Sequence, residues 1–198
     1  MICRRKGKGP CFAIKGDNRY NAILGAKSCF AVCPSDTAVS LSALKAEIKI
    51  VGADGERTLP IADFYRPLGN ILKKDELITE IAVSRPSEGS RQEFLKFTQR
   101  ESVDFSIVSV ASVITLKDGI CVDASITMGG VAPMPFRAVG AEQAIIGMPV
   151  NERNAEAASE ASVINAIPLS RNAYKVEIIK TLVKRAIMKG FLSEKEVS

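Results

Sequence analysis

The chain has 198 residues, of which 46% are hydrophobic and 25% charged, and its formal net charge is +5. This composition can bury a real core as one domain or as two small ones. The sequence contains no histidine, which excludes Ser-His-Asp triads and histidine-ligated zinc within it. No apolar run reaches the roughly 18 residues of a membrane span, and no apolar leader follows Met1. We therefore expect a cytoplasmic protein without a membrane partner.

The first 33 residues are rich in cysteine and glycine, and we expect them to form a loop. Four of the five cysteines of the chain lie here: Cys3, Cys11, Cys29 and Cys33. Such a quartet is typical of a metal site, although small core residues and a disulfide framework are alternatives. The intervals are irregular, which suits an iron–sulfur cluster better than the paired knuckles of structural zinc. The basic run beside Cys3 lacks interleaved aromatic residues, which favours a solvated loop over a nucleic-acid surface.

A helix is predicted to begin after Pro34, with Ser35 or Asp36 as its N-cap. Its apolar stripe comprises Ala38, Leu41, Leu44 and Ala46. Three strands are predicted to follow, at 46–51, 57–61 and 75–83. The segment 84–91 has the composition of a linker. We therefore place a domain boundary there, between 1–84 and 85–198.

The second part is predicted to contain strands at 93–97, 105–116 and 120–128. The pair Gly129-Gly130 then marks a tight bend or a close approach of two backbone segments. Three helices are predicted after it, at 141–146, 151–164 and 174–188. The last has apolar residues on one face with lysines opposite, as in a surface helix. A small sheet packed with helices indicates an α+β fold.

Several motifs occur in a fixed order along the chain. They read CFAIKGDNRYNAILG at 11–25, CFAVCPSD at 29–36, KFTQRESVDF at 96–105, GGVAP at 129–133, and LVKRA at 182–186. In this order they resemble the flavin-binding subunit of the molybdenum hydroxylases, the family of xanthine dehydrogenase and aldehyde oxidoreductase. The similarity points to the branch whose flavin subunit carries an additional [4Fe-4S] cluster. It covers nearly the whole chain.

The resemblance implies both a fold and an FAD site. The fold would be the remnant of an FAD-binding α/β lobe, followed by a C-terminal domain like that of CO dehydrogenase flavoproteins. Ser35 and Asp36 would belong to the FAD site, with Asp36 accepting from the ribose hydroxyls. Lys96 would lie near the isoalloxazine ring, and Ile78 would pack on its apolar face. The residue types alone also allow helix capping at Asp36, a solvated strand lysine at Lys96 and an ordinary core isoleucine at Ile78.

The resemblance also bears on the cysteines. Cys3, Cys11 and Cys29 match three of the four ligands of the [4Fe-4S] cluster in that branch. Cys33 occupies a position where relatives commonly have histidine, and it could substitute as the fourth ligand. A cluster with three protein thiolates, or no cluster, is an alternative.

The family implies partners as well. Its members begin with a glycine-rich lobe that binds the FAD pyrophosphate, and no such loop precedes Cys3. We therefore expect the C-terminal two-thirds of such a subunit, either truncated or encoded separately, with another chain supplying that lobe. A molybdopterin-binding large subunit and a [2Fe-2S] small subunit would deliver electrons through FAD to an external acceptor. Two alternatives remain at this stage. One is a truncated or split module that binds no FAD alone and serves in assembly, and the other is an unrelated thiolate metal-binding protein.

Overall fold

The computed structural model describes residues 3, 6–7, 9–27, 29–67, 69–101, 104–189 and 191. Within these residues the chain forms five α-helices and nine strands, and the strands build three antiparallel sheets. The α+β prediction is therefore confirmed. None of the described helices combines the length and the apolar character that crossing a membrane requires.

The cysteine-rich region is mostly irregular, as predicted, with a short 3-10 helix at Phe12–Ile14. The first α-helix, α1, spans Asp36–Ala43, and the Ser35 side chain caps it by accepting from the Ala38 N–H at 3.1 Å. Such a cap satisfies one of the amide groups that a helix start leaves without an internal partner. The buried face of α1 differs in part from the predicted stripe, since it consists of Ala38, Val39 and Ala43.

The first half of the chain builds a three-stranded sheet with the order β2-β1-β5. Its elements are β1 (Glu47–Gly52), β2 (Gly55–Pro60), the helix α2 (Ile61–Phe64), the short pair β3 (Tyr65–Arg66) and β4 (Gly69–Asn70), and β5 (Leu77–Ala82). The β1–β2 turn is a hairpin that pairs Gly52 with Gly55. Alternation along β1 places Ile48 and Ile50 in a small core.

The second half builds a four-stranded sheet with the order β6-β7-β8-β9. The strands are β6 (Ser90–Phe97), β7 (Val108–Lys117), β8 (Ile120–Gly129) and β9 (Phe136–Arg137). The helices α3 (Val139–Ile145), α4 (Glu152–Ser162) and α5 (Tyr174–Lys189) complete the largest hydrophobic core with this sheet. Strand β6 begins at Ser90, inside the segment that composition identifies as a linker.

The cysteine-rich loop packs against the second half of the chain. Ile23 and Leu24 are buried in the largest core, and both of their N–H groups donate to the Val131 carbonyl, at 2.9 and 3.0 Å. Helix α1 also packs on β7, where Val39 contacts the cluster that contains Ala111. The two halves therefore share an extensive interface, and the boundary near residue 84 stays a prediction.

Candidate functional site

Two residues from the predicted FAD set lie side by side. Lys96 Nζ, on β6, is 2.7 Å from Asp36 Oδ2, in the first turn of α1. The other carboxylate oxygen of Asp36 accepts from Ser106 Oγ at 3.1 Å. The side chains of Lys96 and Asp36 are 27% and 38% exposed, so this pair is open to a ligand. Asp36 thus forms one polar cluster with Lys96 and Ser106, which lie 60 and 70 positions away in the sequence.

The local structure at the start of α1 leaves Asp36 free for this cluster. Ser35 already supplies the N-cap, because its hydroxyl accepts from Ala38. Asp36 then occupies the first helical position, where a carboxylate interacts favourably with the positive end of the helix dipole. Each carboxylate oxygen can accept more than one hydrogen bond. Asp36 can therefore bind a ligand hydroxyl without releasing Lys96 or Ser106.

A cavity of about 320 Å³ adjoins this cluster at Ser106. Its volume is at the lower end of the roughly 300–1,000 Å³ that is usual for small-molecule sites. Apolar surface comes from Val32, Pro34, Phe105 and Ile107. Polar groups come from Tyr20, Gln99, Arg100, Asp104, Ser106 and Lys175. The four apolar residues offer surface for a flat ring, and the six polar ones can meet its polar edges.

Two polar contacts fix the rim of the cavity. The Tyr20 hydroxyl donates to Gln99 Oε1 at 2.8 Å and thereby joins the cysteine-rich loop to the segment after β6. Arg100 donates to both carboxylate oxygens of Asp104, at 2.9 and 3.0 Å. This bidentate pairing lowers the pKa of the Asp104 carboxyl below its ordinary value. Asp104 therefore stays ionised at neutral pH.

Sequence reasoning missed a set of polar contacts that holds the cysteine-rich loop in place. We call it the 170–175 clamp; it consists of Ser170, Arg171, Asn172, Tyr174 and Lys175. The Arg171 N–H donates to Asn18 Oδ1 at 2.9 Å, and the Tyr174 hydroxyl donates to the Arg19 carbonyl at 2.8 Å. These partners are more than 150 positions apart in the sequence. Asn18 is completely buried by partners this far along the chain, so local sequence carries no signal of these contacts.

The position of Lys175 differs from the one predicted for the lysines of the last helix. The pattern of α5 predicts lysines on the solvent face, whereas Lys175 is completely buried. Its ammonium group donates to the carbonyls of Tyr20, Asn21 and Gly130, at 2.9, 3.2 and 2.7 Å. Burial lowers its pKa to about 8. At pH 7 the group is therefore still mainly an ammonium ion.

The predicted cluster ligands do not line this cavity, although Cys33 lies between the lining residues Val32 and Pro34. Cys3, Cys11, Cys29 and Cys33 are all half-buried free thiols. Across the described part of the chain, no three histidine, cysteine, aspartate or glutamate side chains form a group that could hold a metal ion. Cys33 is anchored by its N–H, which donates to the Ala132 carbonyl at 3.0 Å, and burial raises the pKa of its thiol. The [4Fe-4S] site stays a prediction.

Ile78 lies on β5, the edge strand of the other sheet, where it pairs with Ile50 and is 37% exposed. Ile81 lies on the same face of the strand, since it pairs with Ile48, and it is also exposed. The predicted contact of Ile78 with the flavin ring is untested by this arrangement. The FAD residues that the structure brings together are thus Asp36, capped in place by Ser35, and Lys96.

Two family models match the chain in sequence. The FAD-binding domain in molybdopterin dehydrogenase matches residues 17–86, and the C-terminal domain of the CO dehydrogenase flavoprotein matches residues 93–189. Asp36 lies in the segment that matches the first model, and Lys96 lies in the segment that matches the second. The chain belongs to the family of FAD-binding medium subunits of the molybdenum hydroxylases.

Sequence similarity to two known proteins supports this family assignment. The aldehyde oxidoreductase FAD-binding subunit of Escherichia coli is 31% identical over 89% of this chain and 54% of its own length. The glyceraldehyde dehydrogenase medium chain of Sulfolobus acidocaldarius is 33% identical over 77% of this chain and 55% of its own length. The chain thus spans about half the length of these relatives.

Solved structures share the fold. Carbon monoxide dehydrogenase from Hydrogenophaga pseudoflava superposes with a TM-score of 0.75 at 23% identity, over 96% of this chain and 64% of the matched chain. Quinoline 2-oxidoreductase from Pseudomonas putida 86 gives a TM-score of 0.73 at 22% identity, over 79% of this chain. At these identities the likeness establishes the fold alone.

Proposed function

We propose that this chain is the FAD-contacting part of a molybdenum hydroxylase. It would pass electrons from molybdenum and [2Fe-2S] partner subunits through FAD to an external acceptor. The observation that carries the proposal is the cluster of Lys96, Asp36 and Ser106 beside a cavity with apolar walls. The family match supplies the cofactor class.

The residues present suit a flavin. Asp36 offers two acceptor oxygens for ribose hydroxyls, and Lys96 offers a cation within the same cluster. Val32, Pro34 and Phe105 offer apolar surface for a ring system. When bound, FAD would supply the chemistry of accepting and releasing electrons.

Each side chain would then have a separate role. Lys96 would stabilise negative charge on the reduced cofactor through its electrostatic field. Asp36 would hold Lys96 in position and orient the ribose. The apolar walls would exclude water from the ring, which strengthens the effect of Lys96 because the local dielectric constant falls.

The second candidate is a truncated or split module that binds FAD only together with a pyrophosphate-binding lobe. The chain spans about half the length of two relatives, the FAD-binding subunit from Escherichia coli and the medium chain from Sulfolobus acidocaldarius. The glycine-rich lobe that the resemblance implies would complete the FAD site in this case. A simple thiolate metal protein is less well supported, because neither family match depends on the cysteines at positions 3 and 11.

Absorbance of the purified full chain tests these candidates. Flavin absorbance bands at about 450 nm, as expected for bound FAD, would support the first candidate, the flavin subunit. A colourless chain that gains these bands only after addition of a pyrophosphate-binding lobe would support the split module. Zinc without flavin, both alone and with the lobe, would overturn both candidates.

A further inference from the structure

Lys175 is a completely buried cation that no carboxylate neutralises among the described salt bridges. Burying an unpaired charge is costly, and the cost is offset only where every donor finds a partner. Lys175 meets this condition with three backbone carbonyls, those of Tyr20, Asn21 and Gly130. Because an ammonium group has three donors, its hydrogen-bonding capacity is filled. This occupancy argues against Lys175 as a direct ligand-binding cation.

The three carbonyls belong to two different segments: one lines the cavity, and the other packs against Ser106 and Ile107, which line it. Tyr20 lines the cavity and lies in the cysteine-rich loop, while Gly130 lies in the turn after β8. Helix α5 contributes the Lys175 side chain to this junction, and Asn172, just before α5, also donates to the Asn21 carbonyl at 3.1 Å. Lys175 therefore links the loop and the turn through one ammonium group.

The Gly130 turn in turn supports the Asp36 cluster. Gly130 has φ +72°, and a Cβ atom there would lie 2.5 Å from the Ile107 carbonyl oxygen and 3.1 Å from that of Ser106. The backbones of these segments thus approach as closely as glycine permits. Ser106 donates to Asp36, which pairs with Lys96. A continuous set of contacts runs from Lys175 through Gly130 and Ser106 to the proposed flavin residues.

We propose that Lys175 is a positioning residue for the flavin cavity: it ties the Tyr20–Asn21 loop, which forms one wall, to the Gly130 turn, which supports the opposite wall at Ser106 and Ile107. The proposal rests on the proposed function for its link to flavin. The tie itself is independent of any cofactor. It makes helix α5, at the far end of the sequence, a determinant of how well the ring is held.

The test uses the full chain and three variants. Lys175→Met removes the donors, Lys175→Arg keeps a buried cation with several donors, and Lys184→Met removes a lysine of the same helix that pairs with Glu156 on the outer surface. Hydrogen–deuterium exchange is measured for residues 18–24 and 129–132, with the β1–β2 hairpin as internal reference. Binding of lumiflavin, which contains the ring without phosphates, is measured by fluorescence quenching.

We expect Lys175→Met to speed exchange in both segments about tenfold or more, because the Tyr20 and Gly130 carbonyls lose the Lys175 donor and the Asn21 carbonyl keeps only Asn172. Exchange in the hairpin should be unchanged. Lumiflavin binding should weaken about tenfold in Lys175→Met and recover to within about threefold in Lys175→Arg, which has the donors to replace the ammonium. Lys184→Met should match the wild type in both measurements.

Different failures have different meanings. Unchanged exchange in a folded Lys175→Met variant would overturn the tie. If no variant and no wild-type chain binds lumiflavin while exchange still responds, the flavin site is wrong and the cavity-positioning role falls with it, although the tie stands. If Lys175→Met does not fold, the wild type decides: residues 18–24 and 129–132 should open with the same free energy, and independent opening would overturn the proposal.

Discussion

Lys96 Nζ lies 2.7 Å from Asp36 Oδ2, which joins strand β6 to the first turn of helix α1. The contact connects the segments that match two different family models. A cation and a carboxylate that the resemblance assigns to one cofactor thus occupy one place in the fold.

Replacing Lys96 by methionine should lower the reduction potential of the bound flavin, because the variant loses a cation that stabilises the reduced form. We expect a shift of roughly 20–40 mV, or about 1–2 kcal/mol for a two-electron couple. Stability should change by less than about 1 kcal/mol, since the pair is partly exposed. Lys45→Met, which removes an exposed pair with Asp123, is the matched control. An unchanged potential in the assembled enzyme would refute the role of Lys96.

Replacing Ser35 by alanine should destabilise the chain by about 1 kcal/mol, the usual cost of a lost N-cap. Ser35→Asp should retain most of the stability, because aspartate also accepts from the amides of the first turn. Urea denaturation of both variants measures the difference. Equal free energies of unfolding for Ser35→Ala and the wild type would mean that the cap contributes nothing.

Gly130→Ala tests the close approach of the backbone at the cavity. A positive φ costs an alanine about 1–2 kcal/mol wherever it occurs. Gly147→Ala measures that cost alone, because Gly147 has φ +82° and open space where its Cβ would lie. Gly130→Ala should lose a further 1–3 kcal/mol, roughly the cost of overpacking, because its Cβ would meet the Ile107 carbonyl. Denaturation curves of the two variants should therefore differ; identical losses would contradict the contact.

Stability should depend on pH through Lys175. Its pKa is lowered by burial from the ordinary 10.5 to about 8, so between these values the unfolded chain binds more protons than the folded chain. The free energy of unfolding of the wild type, relative to Lys175→Met, should then rise with pH by up to ~1.4 kcal/mol per unit. This difference in free energy should stay constant between about pH 6 and 7, where Lys175 is protonated in both the folded and the unfolded chain.

The neighbouring charges do not produce this slope. Arg100 and Asp104 border the same cavity and keep their charges throughout the window, since their pairing raises the pKa of Arg100 and lowers that of Asp104. Burial raises the pKa of Tyr174. Hydrogen bonding to Glu156 raises the pKa of Lys184, so Lys184→Met should give a flat difference from pH 8 to 10. If the free energy of unfolding of the wild type relative to Lys175→Met did not change with pH, burial would not lower the pKa of Lys175.

The cysteines can be tested by iron content. Anaerobically purified protein should contain about four iron atoms per chain if a [4Fe-4S] cluster forms. The double change Cys3→Ser and Cys11→Ser should abolish this iron, and Cys33→Ser should lower it only if Cys33 is the fourth ligand. Cys121→Ala is the control, because Cys121 is completely buried in the core and burial raises its pKa to about 11. Iron that survives the double change would exclude the cluster.

Much of the fold follows from local sequence. A strand at 46–51 and a helix that begins with Ser35 or Asp36 as its N-cap are properties of a few neighbouring residues, and the sequence predicts both. The motifs likewise identified the family, because they are short runs whose order is visible without coordinates. Asp36 and Lys96 were assigned to one cofactor on that basis.

Only the tertiary structure decided which residues meet. The sequence places Lys175 among the lysines of an amphipathic helix, and the packing of the 17–21 loop over that helix buries it. The same holds for Ser106 with Asp36 and for Gly130 with Ile107. Periodicity describes a helix or strand in isolation, whereas burial depends on what another segment covers. For that reason the sequence determined the family and the local elements, and long-range packing determined the cavity and the buried lysine that borders it.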